Sequence, residues 1–77
     1  MAILAYFEKA AEDPATVRYR WGDSPDELDR DLVMDKASSR PLPGEQVPTI
    51  QYLAVARKVF SLKESSGRWP DQGMTAS

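Results

Sequence analysis

The chain changes its hydrophobic rhythm along its length. In "TVRYRWG", residues 16 to 22, Val17, Tyr19 and Trp21 fall on one face and Arg18 and Arg20 on the other. A period of two marks a strand with one buried face. In "PTIQYLAVARKVFSLKESSG", residues 48 to 67, the period is different. With successive residues about 100° apart, Tyr52, Leu53, Val55, Ala56, Val59, Phe60 and Leu62 gather on one half of the cylinder. Gln51, Arg57, Lys58, Ser61, Glu64 and Ser65 take the other half. This predicts an amphipathic helix with Pro48 in its first turn, Gly67 as its left-handed cap and Lys63 near its negative end. Phe60 is expected in the core.

The other segments are read against these two. "AILAYFEKA" fits a helix through Ile3, Phe7, Ala10 and Ala11, or a strand with Ile3, Ala5 and Phe7 on one face and Leu4, Tyr6 and Glu8 on the other. The Asp13-Pro14 pair that follows suits a tight turn. Two apolar runs joined by a short turn read as a β-hairpin, so residues 2 to 9 are expected to be a strand, with Arg18 and Arg20 facing solvent or pairing with Glu8. "DLVMDK", residues 31 to 36, is a third strand with Leu32 and Met34 on one face and Val33 on the other. Between the second and third strands lies "SPDELDR". Ser24 with Glu27 three residues on, and Pro25 between, is a capping-box pattern. It predicts a short helix from Pro25 to Arg30. "ASSRPLPGEQVP", residues 37 to 48, holds three prolines and a glycine, so it is expected to be a loop with at most a short extended piece at Arg40 to Leu42.

An apolar sheet face and an apolar helix stripe each need cover, and each covers the other. The expected fold is α+β: a three-stranded antiparallel sheet, made of a β-hairpin plus a third strand, covered by one C-terminal amphipathic helix. Residues 1 to 68 form the domain. Residues 69 to 77 form a partly mobile tail, with Trp69-Pro70 able to fold back.

Several of these segments together resemble a group of short, uncharacterised actinobacterial proteins. The resemblance runs over residues 17 to 73, through "YRWG…SPDELDRDLVMDK", "ARKVF" and "G-x-W-P-x-x-G". The group has a similar aromatic-glycine strand, an acidic "DR-x-L-V-x-D" segment and a terminal "WP" motif. The resemblance implies no activity. It favours the strand reading of residues 2 to 9.

Composition narrows the function. A chain of 77 residues is expected to be one domain with a modest core. It has no cysteine and no histidine, so disulfides, thiolate chemistry and the commonest general base and metal ligand are all missing. Ten basic and 12 acidic residues do not point to nucleic acid. No run approaches the ~18–20 apolar residues of a membrane span. The start "MAILAYFEKAAED" lacks the basic n-region of a secretory signal. A cytoplasmic protein is expected, without cofactor.

"GDSPDELDRD", residues 22 to 31, is the densest acidic stretch. A calcium loop starting at Asp23 would place Pro25 third, Leu28 sixth and Met34 twelfth, which fails the pattern. Asp26, Glu27, Asp29 and Asp31 read as helix-capping and solubilising groups, so no metal site is assigned. Carboxylate pairs do acid–base work only where burial separates their pKa values, and this segment is polar. No catalytic residue is assigned, and an activity resting on Asp26 and Asp29 ranks third. The leading expectation is a non-enzymatic interaction or accessory protein. It would bind a partner protein through the outer sheet face, with Leu4, Tyr6, Arg18 and Arg20, extended by Trp69. A homodimer is compatible with so small a core. The alternative is a nucleic-acid-associated accessory protein using Arg18, Arg20, Arg57 and Lys58.

Overall fold

Alternation in the sequence becomes an antiparallel sheet whose one apolar face is covered by a helix. The computed structural model describes residues 4–42 and 49–76. In chain order the elements are β1, Leu4–Glu12; β2, Thr16–Gly22; β3, Arg30–Asp35; β4, Arg40–Pro41; α1, Ile50–Ser66; and β5, Gln72–Ala76. The spatial order is β4-β3-β2-β1-β5, with every neighbouring pair antiparallel. The α+β class is as expected, but among the described residues the sheet has five strands rather than three. Residues 2 and 3, Pro43 and Pro48 lie outside the described residues.

The β1–β2 turn is built by Asp13. Its carboxylate accepts from the backbone N–H of Ala15 and Thr16, at 2.8 and 2.7 Å, and from the Thr16 hydroxyl at 3.0 Å. These bonds hold the carboxyl below its usual range, that from the Thr16 N–H contributing most. β1 runs on to Glu12, past the expected end at residue 9: a bulge between Lys9 and Ala11 shifts the register with β2 by one residue, and pairing continues beyond it. Glu12 then reaches the ammonium groups of Lys9 and Lys36, each at 2.7 Å.

The core lies between the sheet and α1. Ala5, Phe7, Val17, Tyr19, Trp21, Leu32 and Met34 point down from the strands onto Val55, Ala56 and Val59. Phe7 meets Tyr19 edge-on, with ring centroids 5.7 Å apart. The helix begins at its N-cap Thr49, whose hydroxyl accepts from the Tyr52 N–H at 3.0 Å, and stops at Gly67 with φ of 80°. Its buried stripe is narrower than a half-cylinder. Tyr52 and Leu62 flank the core, whereas Leu53 is 50% exposed and Phe60 is only half-buried. A helix packed by one side on a sheet buries a stripe, and residues at the margins of its apolar half remain partly in water.

The expected tail is instead part of the fold. Trp69 belongs to the core at 8% exposure. The Tyr19 hydroxyl donates to the Pro70 carbonyl at 2.7 Å. Burial pushes this phenol far above its ordinary range. The Lys9 N–H donates to the Asp71 carbonyl at 2.7 Å and starts the pairing of β5 with β1. Opposite Phe7 stands Gly73, and the Phe7 ring lies across it: a Cβ there would come within 2.6 Å of Cζ. Alternation alone reads "DQGMTA" poorly, since the inward position is a glycine.

Two predictions follow from this packing. Leu32→Ala should cost ~2–5 kcal/mol, because Leu32 is 1% exposed beneath the helix. Phe60→Ala should cost clearly less than that series, and urea unfolding of both variants checks the ranking. The second concerns Glu12, whose carboxyl is lowered to about 2, first by the bond from Lys36 and then by that from Lys9. A folded-state pKa below the unfolded value means that the ionised form favours the fold. This contribution is present above the unfolded value, and it is lost as pH falls from there to about 2. Glu12→Gln should therefore flatten the acid limb of the melting temperature over that window and leave the limb above it parallel to wild type.

Candidate functional site

Opposite the helix, the outer face of the sheet carries the side chains that alternate away from the core. Strand register arranges them in rows. Met74, Tyr6 and Gly22 are neighbours in one row. Gln72, Glu8, Arg20 and Asp31 form the next. Beyond them Arg18 lies between Ala11 and Val33. Arg20 thus has a carboxylate on each side across the strands, and Arg18 has none. Arg18 and Arg20 are exposed, Tyr6 is half-buried, and Leu4 and Met74 are 43% and 42% exposed. Four of the five predicted partner-binding residues, Leu4, Tyr6, Arg18 and Arg20, therefore share this face. Trp69 does not extend it, because its ring is packed on the opposite side of the sheet, in the core.

The acidic segment lies over this face rather than beside it. A side chain at Gly22 would collide with the Glu27 carbonyl, so the backbone of residues 23–29 folds back onto the end of β2. The helix expected from Pro25 to Arg30 is absent. A single turn closes through the Glu27 N–H to the Ser24 carbonyl at 3.1 Å, and residues 27–29 are irregular. The connection starts and ends at paired strands, since Trp21 is the partner of Arg30. Adjacent strands are ~5 Å apart, whereas a six-residue helix would carry the chain ~9 Å onward. Closure therefore overrides the capping signal.

The side chain of Gln51, in the first turn of α1, fastens both ends of the connection. Its amide donates to Asp23 Oδ1 at 2.6 Å and to the Leu4 carbonyl at 2.9 Å. Its oxygen accepts from Arg30 Nη1 at 2.9 Å. The Arg30 guanidinium sits 4.9 Å from the centre of the Trp21 ring.

Pro25 and Leu28 divide the outer face into two shallow grooves. One, of about 450 Å³, is polar, with Glu8, Arg20 and Asp26 along it. The other, of about 300 Å³, runs from Tyr6 and Leu28 to Met74. Leu28, Pro25 and Met74 were not among the expected binding residues. Leu28 is the lone apolar residue of the acidic stretch, and that isolation was the available signal.

The remaining candidates separate. Arg57 is exposed on the helix, so it and Lys58 lie across the sheet from Arg18 and Arg20. The four basic residues expected to hold nucleic acid do not form one surface. Among the described residues no group of three or more Asp, Glu, His or Cys could hold a metal ion. Nor is any described helix long and apolar enough to cross a membrane. Comparison with protein-family models, with curated proteins and with solved structures finds no match in any of the three.

Gly22→Ala should dislodge the connection and leave the sheet in place. The expected result is faster amide exchange at Glu27 and shifted Leu28 methyl resonances, with Val17 and Leu32 unchanged. Unaltered Glu27 and Leu28 would contradict the close approach at Gly22.

Proposed function

We propose that the protein is a non-enzymatic interaction module that holds a partner protein on the outer face of its sheet. One observation carries this reading: Leu4, Tyr6, Leu28 and Met74 reach the surface of one face, with Arg18 and Arg20 beside them. Each of these side chains is only partly covered and so forgoes a share of the ~1.5–3 kcal/mol that full burial would give. That is a large omission in a domain of this size, whose stability is on the order of 5–10 kcal/mol. Apolar ground rimmed by charge is the usual form of a partner site.

Tyr6 and Arg18 are the anchors of choice. Tyrosine and arginine join a large contact area to directional hydrogen bonding and are enriched where binding energy concentrates. No carboxylate stands directly across from Arg18, so a partner's acidic group meets less competition there than at Arg20. The shallow grooves favour a protein surface over a small molecule, which needs a deeper enclosure. A cytoplasmic setting belongs with this reading.

Tyr6→Ala and Arg18→Ala should each weaken capture of the main partner about tenfold, equivalent to ~1.4 kcal/mol. Chemical-shift changes should stay near each substitution. Capture from extracts of the native host, with the binding curve then measured on the purified partner, reads this out. A double variant that still captures the same partner at full strength would overturn the assignment, as would a Tyr6→Ala variant that unfolds.

A further inference from the structure

β5 is an edge strand, and its outward hydrogen-bonding groups can be identified. Lys9 donates to the carbonyl of Asp71, the residue that continues the β1–β5 register beyond Glu8 and Gln72, so this is a hydrogen-bonding position of the ladder. Antiparallel pairs alternate, so Gly73 and Thr75 also direct their backbone groups towards β1. Gln72, Met74 and Ala76 then direct theirs outward. The same alternation carried across the sheet requires Val33 to face β4, and the Leu42 N–H does donate to the Val33 carbonyl at 2.8 Å. Among the described residues nothing pairs with this outer edge.

We infer that β5 pairs with β5 of a second copy of this chain, antiparallel about a two-fold axis at Met74. The three outward residues are symmetric about Met74. The two-fold therefore sets Met74 against Met74 and Gln72 against Ala76, and each N–H meets a carbonyl. The strand "QGMTA" has no charge and no proline, which are the usual devices that stop an edge from pairing with itself. Among the described residues the other edge is poorly suited to pairing: β4 is only Arg40–Pro41, and proline has no N–H to give. With one competent edge among the described residues, association stops at two copies instead of running into a fibre. Met74 is the neighbour of Tyr6, so pairing also joins the apolar rows of the two outer faces. The inference does not depend on a foreign partner for that face.

The contact is short, and short contacts of this kind are weak and reversible. The test is sedimentation of the full chain from about 10 μM to about 1 mM, with backbone amide exchange followed by NMR. The expected result is a reversible dimer. Its formation slows exchange at Gln72, Met74 and Ala76, whereas Gly73 and Thr75 are already slow in the monomer. Met74→Pro removes an N–H that the monomer does not use, and it should weaken the dimer at least about tenfold. Met74→Lys sets two ammonium groups together at the axis and should do the same if the proline variant fails to fold. A chain monomeric at about 1 mM would overturn the pairing. So would a dimer that leaves those three amides exchanging freely, or one that survives both substitutions. Protection that arises only with a different protein present also counts against it.

Discussion

The inward face of β2 is the constraint to which the other elements conform. Val17, Tyr19 and Trp21 are each at most 1% exposed, in the middle strand of the sheet. Phe7 of β1 stands edge-on to Tyr19, and Tyr52 of α1 is tilted against Trp21 with centroids 6.2 Å apart. The Tyr19 hydroxyl then holds the Pro70 carbonyl and so brings β5 alongside β1. Strand, helix and C-terminal segment are thus positioned from two aromatic rings. One cost comes with this arrangement. The indole N–H of Trp21 finds no acceptor among the described residues, and a buried donor left unpaired costs about 1–3 kcal/mol. Burying a ring of ~150–250 Å² at ~25 cal/mol/Å² returns ~4–6 kcal/mol, so packing wins.

The outer face of the sheet follows from the same strand. Trp21 points inward, so Gly22 points outward, and its missing side chain is what admits the Glu27 carbonyl. The acidic connection is therefore a partial cover, with Pro25 and Leu28 on the sheet and Asp26 and Asp29 in water. What stays open is the apolar ground along β1 and β5. An interaction module and a self-pairing edge are compatible uses of that ground, because one occupies the face and the other the rim.

Much of the fold was legible because it rests on local periodicity. The strand from Thr16, the faces of Leu32 and Met34, the left-handed stop at Gly67 and the short extended piece at Arg40 all follow from neighbours in sequence. The outward set of Leu4, Tyr6, Arg18 and Arg20 was legible for the same reason, since a period of two assigns faces without knowledge of what covers them. The errors share one cause. A helical wheel puts Phe60 in the core because it assigns a half-cylinder, whereas the sheet accepts only a stripe. Residues 25 to 30 carry a sound capping pattern, but the paired ends of β2 and β3 leave no length for a helix.

By itself, the sequence determined the α+β class, the inward and outward faces of the three main strands and the extent of the helix. Each depends on a repeat that one segment carries within itself. Only the tertiary structure decided that "QGMTA" is a strand, that Trp69 is core, and that Gly22 and Gly73 are sites of close approach. Those outcomes depend on residues distant in the chain: the Tyr19 hydroxyl that meets Pro70, and the Phe7 ring that crosses Gly73. A glycine states only that a side chain is missing, and what fills the space is set by whatever the fold brings there.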